Sequence, residues 1–128
     1  MAKMQTKEYT NDGKAILGKA LARYGRTAPR KIALVADLIR RKPVLEALEI
    51  LQFTQRPSAV PFITRALKAA IASANQKSGR EDYSDSLVIG EIIVNTAPML
   101  KRTRAASVGR ATRIRKRQTH LFVALTEN

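Results

Sequence analysis

The spacing of apolar positions in this chain changes near residue 87. Before that point, three segments place apolar residues three or four positions apart, which is the spacing of one face of an amphipathic helix. After it, apolar residues stand side by side or alternate with polar ones, as they do in strands. The pattern therefore predicts helices in the first part of the chain and a sheet that is completed in the second.

The first helix is predicted from Thr27 to about Arg41. Thr27 can cap the free N–H groups, and Pro29 is tolerated in the first turn. Lys42 is pushed out of the helical region by the proline that follows it, so the helix should end there. The apolar stripe of this helix consists of Ile32, Val35, Ala36 and Ile39, widened by Leu34 and Leu38.

Two more helices are predicted downstream. The second starts at Pro43 and ends before the break at 56–58, and Ser58 is expected to cap the third. The second is apolar at Val44, Leu45, Ala47, Leu48 and Leu51. The third is apolar at Val60, Ile63, Leu67, Ala70, Ile71 and Ala74, and its small residues, Ala66, Ala69, Ala70, Ala72 and Ala74, would let another element pack closely. The polar segment from Asn75 to Ser86 should then reverse the chain.

Three strands are expected around these helices. A short one runs from Lys19 to Tyr24, a longer one from Leu87 to Val94, and a third from Leu121 to Leu125. Residues 1–18 have no apolar signal core and form a polar N-terminal extension. The predicted organisation is thus an extension over 1–18 and a single domain over 19–128.

The net positive charge of this chain is unusually high for a globular domain. Its 24 Lys and Arg against 10 Asp and Glu give a net charge of +14, which attracts phosphate strongly. No stretch approaches the roughly 18 apolar residues of a membrane span, so no membrane partner is expected. The absence of cysteine excludes disulfides and thiolate metal sites and fits a cytoplasmic location. Nucleic acid is the expected partner.

The positive charge is concentrated near the C-terminus, where no acidic residue occurs between Ile92 and Thr126. Pairing of the flanking strands would make this segment a basic hairpin over about 97–118, with its turn between Thr103 and Gly109. The hairpin would reach on the order of 33 Å beyond the core and carry cations on both faces. Its cations are Lys101, Arg102, Arg104, Arg110, Arg113, Arg115, Lys116 and Arg117.

Other basic residues lie around the first helix. Arg23, Arg26, Arg30 and Lys31 cluster at its start, and Arg40, Arg41 and Lys42 lie at its end. These groups are candidates for a second RNA contact, although a solvated helix face explains them equally well. For the hairpin, a merely solvated loop is the less favoured interpretation because strong strand patterns flank it.

The residues give little support to catalysis. His120 is the single histidine, and its apolar neighbours favour a packed or RNA-contacting side chain over a general base. Glu81, Asp82 and Asp85 fall in a polar loop, where solvation is expected. We therefore predict no catalytic residues, no metal site, no cofactor and no small-molecule substrate.

Two long blocks resemble bacterial large-subunit ribosomal protein twenty-two. The first runs from Ala28 to Arg40 and continues through Lys42-Pro43-Val44 and residues 46–51. The second comprises Ala72-Ser73-Ala74-Asn75, Pro98, Leu100-Lys101-Arg102, Gly109-Arg110-Ala111, Arg113-Ile114-Arg115-Lys116-Arg117 and Thr119-His120. The resemblance covers about Leu21 to Leu125.

This resemblance implies an α+β fold in which three helices pack on a small three-stranded antiparallel sheet with a long protruding β-hairpin. It implies a structural constituent of the large ribosomal subunit that binds 23S-type rRNA and supports assembly. The hairpin would line the nascent-peptide exit tunnel, with neighbouring large-subunit proteins and the nascent peptide as further partners. The expected rRNA-binding residues are Arg23, Arg26, Arg30, Lys31, Lys101, Arg102, Arg104, Arg110, Arg113, Arg115, Lys116, Arg117 and His120.

The chain departs from the family pattern at four places. The tip, Thr103 to Val108, is smaller and less cationic than usual. Ala28 stands where a capping Ser is usual, Arg41 where Gly is expected at a helix end, and Ala97 where Gly precedes Pro98. The alternative function is a free-standing basic nucleic-acid-binding protein, and an RNA-processing enzyme is disfavoured because catalytic groups do not cluster.

Overall fold

A three-stranded antiparallel sheet organises residues 7–128, the part of the chain that the computed structural model describes. Its strands are β1 (Gly18–Gly25), β2 (Leu87–Ala105) and β3 (Ala111–Glu127), with β3 in the middle. Three helices, α1 (Pro29–Ile39), α2 (Val44–Phe53) and α3 (Val60–Ser78), connect β1 to β2. The predicted α+β class, with three helices, this sheet and a long hairpin, is confirmed.

The helices cover one face of the sheet and form the main core with it. Leu121, Val123 and Leu125 alternate along β3 and are buried beneath them. The predicted stripe of α1 is confirmed, since Ile32, Val35, Ala36 and Ile39 are all buried. The widening of that stripe is wrong, because Leu34 and Leu38 are 65% and 50% exposed. The helix packs inward through one face only, so its second apolar row faces out.

Close packing between α3 and β1 depends on small residues on both sides. A Cβ on Gly18 would lie 2.4 Å from the Ala70 carbonyl oxygen and 2.6 Å from the Ala74 Cβ. Of the small residues of α3, Ala66, Ala70 and Ala74 are buried. These contacts confirm the prediction that another element packs closely on this helix, and they identify the element as β1.

The predicted helix caps were wrong. Thr27 does not cap α1, because its Oγ1 donates to the Ser58 carbonyl oxygen at 3.0 Å. Ser58 lies outside the first turn of α3, whose N-cap is Ala59, and neither helix has a side-chain capping bond. The Thr27 hydroxyl instead links the segment before α1 to the segment before α3.

The end of α1 and the start of the predicted polar reversal also differ from expectation. Helix α1 ends at Ile39, two residues early, in a turn closed by the Lys42 N–H and the Ile39 carbonyl (3.3 Å). Arg41 has φ +61° in this turn, a left-handed conformation that favours the glycine expected at this position from the resemblance. Helix α3 continues past Asn75 to Ser78 and is terminated by Gly79 in the left-handed conformation (φ +67°).

The second face of the sheet is covered partly by the N-terminal segment. Ile16 packs there against Phe122 and Ala124, which are 1% and 0% exposed. The Leu17 N–H donates to the Leu125 carbonyl at 2.9 Å, and Lys7 Nζ forms an ion pair with the buried Glu91 at 2.7 Å. Lys7, Ile16 and Leu17 of the predicted polar extension therefore contact the domain, although most of residues 8–15 are exposed, and residues 1–6 lie outside the described residues.

Candidate nucleic-acid interface

The basic segment forms a two-stranded ribbon that leaves the body of the protein, as predicted. We call residues 97–118 the arm. Its strands pair from Ala97 opposite Gln118 to Ala105 opposite Ala111. Every residue from 101 to 113 is exposed. The predicted turn is confirmed, since a short 3-10 turn at Ser107–Gly109 closes the ribbon.

Cations lie on both faces of the arm because paired strands place directly opposite residues on one face. One face carries Lys101 opposite Arg115 and Thr103 opposite Arg113. The other face carries Arg102 opposite Ile114 and Arg104 opposite Thr112. The register thus confirms the predicted two-faced ribbon.

The arm cations have no acidic partners among residues 7–128. The four ion pairs in that range are Lys7–Glu91, Arg40–Asp37, Arg41–Asp12 and Lys42–Glu46, and all lie outside the arm. Lys101 also stands directly opposite Arg115, and like charges in that position destabilise a strand pair. The free arm therefore carries unbalanced repulsion that a polyanion would relieve.

A bulge marks the base of the arm. Ala97 pairs with Gln118 and Leu100 with Lys116, so Pro98 and Met99 together face one residue of β3. Proline has no N–H to contribute to the ladder, which explains why the pairing is interrupted here. Bulges bend and twist a ribbon, so this one sets the direction in which the arm leaves the sheet.

The tip of the arm is small and largely uncharged. The Ala106 N–H donates to the Arg110 carbonyl at 2.8 Å and closes the loop. Val108 and Gly109 have φ of +61° and +66°, and the Val108 side chain is 92% exposed. A β-branched residue is unfavourable in that conformation. The tip therefore presents an exposed apolar side chain on a strained turn.

An open cleft of about 580 Å³ lies where the arm meets the loop before α1. Five cations line it without any acidic residue, and Arg26 from the loop is brought to the arm across a separation of many residues. The Arg102 Nη1 donates to the Lys101 carbonyl at 2.8 Å, which places its guanidinium along the strand. The lining residues are Arg26, Ala28, Leu100, Arg102, Arg115, Lys116, Arg117 and Gln118.

The comparison with known proteins agrees with this architecture. The family described as Ribosomal protein L22p/L17e matches residues 20–126. The chain belongs to this family. The large ribosomal subunit protein uL22 of Oceanobacillus iheyensis is 50% identical over 109 residues, which cover 85% of this chain and 94% of the relative. The proteins of the same name from Desulfitobacterium hafniense strain Y51 and Caldicellulosiruptor saccharolyticus are 45% identical over 109 residues and 47% identical over 108. Those matches cover 85% and 84% of this chain and 93% and 86% of the relatives.

The L22p/L17e match includes all three helices and the whole arm, so the resemblance noted from the two sequence blocks is confirmed. Most of the predicted rRNA-binding residues are placed on exposed surface. Arg26, Arg102, Arg115, Lys116 and Arg117 meet at the cleft. Lys101, Arg104, Arg110 and Arg113 lie along the rest of the arm, while Arg23, Arg30 and Lys31 lie near the start of α1.

The basic residues at the two ends of α1 differ in their environment. Arg23, Arg26, Arg30 and Lys31 are exposed at its start, away from the ion pairs described above. At its end, Arg40 donates to the Ile92 carbonyl at 2.8 Å and to Asp37, which fixes α1 on β2. Within residues 7–128, the basic residues at the start of α1 therefore form no ion pair, whereas those at its end do.

His120 is the one predicted site residue that lies inside, at 7% exposure. Its Nδ1 accepts the Tyr24 backbone N–H at 3.1 Å, and the two rings meet edge to face with centroids 4.8 Å apart. Tyr24 lies where the β1 pairing shifts, so the imidazole replaces a strand partner there. RNA contact by His120 stays a prediction, with Nε2 as the remaining polar atom.

Gln118 is the polar residue of the cleft that the predicted site did not include, beside the apolar Ala28 and Leu100. It is uncharged and is only 8% exposed, so neither charge nor a motif separates it from packed strand residues. Glu81, Asp82 and Asp85 are exposed, as predicted for a solvated loop. Within residues 7–128, no three His, Asp or Glu side chains are grouped to hold a metal, and no helix is long and apolar enough to span a membrane.

Proposed function

We propose that this protein is a structural constituent of the large ribosomal subunit. In this proposal it binds 23S-type rRNA, supports subunit assembly, and lines the nascent-peptide exit tunnel with its arm. The relatives are large-subunit proteins by name. The observation that carries the proposal is the arm, a ribbon with cations on both faces and no acid of its own.

The two-faced arm favours insertion between RNA segments over docking on a single surface. A ribbon laid on one surface would leave one row of cations in solvent, whereas neighbouring RNA segments would neutralise both rows. Guanidinium groups also stack on unpaired bases, which suits the Arg-rich composition of the arm. The exposed group at the start of α1 gives the body of the protein a second contact with rRNA.

The tip is the part suited to a passage for nascent peptide. Ala105, Ala106 and Ser107 are small, and Val108 is the exposed apolar residue among them. A small tip of this kind offers little attraction to phosphate and does not bind a passing chain strongly. Insertion of the arm into rRNA would leave this tip in contact with the peptide and with neighbouring ribosomal proteins.

Co-sedimentation tests the ribosomal role. The full chain is expected to remain with large subunits through a high-salt wash, and a variant lacking residues 101–110 is expected to be lost. The variant should keep the melting temperature of the core, since these residues are exposed. A full chain that washes off completely would instead indicate the free-standing nucleic-acid-binding protein.

Cross-linking tests the tunnel contact. The chain has no cysteine, so Val108→Cys creates a single attachment point for a photoreactive group. That variant is expected to cross-link to nascent peptide in stalled ribosomes. Phe53→Cys on α2, also exposed, is the matched control and should not. Equal labelling from both positions would contradict tunnel lining by the tip.

A further inference from the structure

The cleft at the base of the arm is larger than a phosphate site requires. Its volume of about 580 Å³ falls in the range of pockets that hold whole small molecules. Cations surround it, but Leu100 and Ala28 also line it and give it an apolar wall. Such a site suits a ligand that combines an anionic group with a flat apolar one.

Gln118 supplies a second and independent observation. It lines this cleft, its residue is 8% exposed, and its side-chain amide makes no hydrogen bond to any residue from 7 to 128. Neither amide atom is among the fully buried polar atoms of residues 7–128 that lack a partner, Asn75 Oδ1 and Glu91 Oε1, so both are open to the cleft and can hydrogen-bond to a ligand there. An amide also offers a donor and an acceptor together, which a phosphate, having acceptors only, cannot satisfy. The edge of a nucleobase satisfies both.

We infer that the cleft binds one unpaired nucleotide of RNA, with its phosphate on the guanidinium groups and its base edge on the Gln118 amide. Arg26 comes from the loop before α1 and Arg102 from the arm, and both guanidinium groups line the cleft and can bind the phosphate. A paired base cannot enter, because it is stacked inside the duplex and its N7 edge faces the deep, narrow major groove of A-form RNA, which side chains cannot read. The inference rests on the proposed rRNA binding and adds a specific site to it.

Adenine is the base that this amide fits best. A glutamine side chain donates to N7 and accepts from the N6 amino group of adenine in a bidentate pair. The apolar wall at Leu100 and the Arg stems would receive the face of the ring. We therefore use a single extra adenosine as the probe.

The test compares two short RNA duplexes that differ only by one extra, unpaired adenosine in one strand. Fluorescence anisotropy gives the Kd of the full-length protein for each duplex at about 0.15 M salt. The wild-type protein is expected to bind the bulged duplex roughly ten-fold more tightly than the paired one, the discrimination of one bidentate contact. Equal binding of the two duplexes would overturn the inference.

Variants assign the preference to the cleft. Gln118→Leu keeps the volume and the cations and should reduce the preference to under about two-fold. Arg26→Gln should also reduce it, and because Arg26 is exposed this variant keeps the fold if Gln118→Leu melts early. Arg104→Gln removes the same charge outside the cleft and should weaken both duplexes alike, leaving the preference intact. A preference that survives both cleft variants would refute the assignment.

Failure of this inference and failure of the proposed function give different results. If the cleft binds no unpaired nucleotide, the preference for the bulged duplex is absent while the chain still co-sediments with large subunits. If the chain is not ribosomal, co-sedimentation fails whether or not the bulged duplex is preferred.

Discussion

The close contact between β1 and α3 allows us to predict how alanine substitutions at two glycines of β1 change the free energy of unfolding. A Cβ on Gly18 would meet the Ala70 carbonyl oxygen at 2.4 Å, the Ala74 backbone nitrogen at 2.9 Å and the Ala74 Cβ at 2.6 Å. None of these atoms can rotate away, because two belong to the backbone and the third is fixed to it. Gly18→Ala must therefore push α3 off the sheet.

The size of the effect follows from two opposing contributions. Overpacking a close-packed core costs up to about 3 kcal/mol. Replacing a strand glycine by alanine returns roughly 0.5–1 kcal/mol, because the unfolded chain loses conformational freedom. Gly18→Ala should thus lower the free energy of unfolding by about 2 kcal/mol, which corresponds to a fall of roughly 6 °C in Tm for a chain of this size.

Gly25→Ala is the matched control at the other end of the same strand. Its new Cβ would meet Phe62 Cζ at 2.6 Å, but that atom is the end of a half-buried side chain that can move aside. The steric cost should be about 1 kcal/mol, offset by the same gain, so Gly25→Ala should be nearly neutral. Urea unfolding of both variants measures the difference. Equal stability of the two variants would refute the rigid contact between α3 and β1.

Three further predictions concern a turn, an ion pair and the arm. Arg41→Gly should raise the free energy of unfolding, measured with urea, by about 1 kcal/mol, because φ +61° at this position favours glycine. A destabilised variant would show that the exposed ion pair between Arg41 and Asp12 matters more. Lys7→Met should cost about 3 kcal/mol, since it leaves the buried Glu91 carboxylate unpaired, and Glu91→Gln in the same variant should restore most of that loss. Binding to single-stranded RNA should fall with salt at a log–log slope of roughly −4, and Arg113→Gln should reduce its magnitude by about 0.7; an unchanged slope would place that cation away from phosphate.

The sequence predicts the helices and strands because each has its own period. The apolar stripe of α1 and the two strand patterns correspond to buried positions in the structure. The ends of the helices were less predictable. The Thr27 hydroxyl, for example, donates a hydrogen bond to the Ser58 carbonyl before α3 and does not cap its own helix, α1. A capping residue shows which bond it can make, but the tertiary neighbours decide which bond it makes.

The arm was predictable for the same reason, and the cleft was not. Eight cations in an acid-free segment between two strand patterns indicate a basic ribbon without any knowledge of the fold. The cleft is lined by both Arg26 and Arg115, two residues that are distant in sequence and come to one site only after β1 pairs with β3. Gln118 carries no charge at all, so only its burial beside those cations reveals it.

Acidic residues stabilise the body of the protein through ion pairs, but none of them neutralises the cations of the arm. The acidic members of the ion pairs in residues 7–128, Asp12, Asp37, Glu46 and Glu91, all lie outside the arm and hold their partners on the body of the protein. The arm has no acid between residues 92 and 126 and keeps its repulsion. Acids placed along the arm would stabilise it in isolation, but they would have to be displaced before phosphate could bind. The arm therefore depends on its polyanion for stability, while the core that carries it does not.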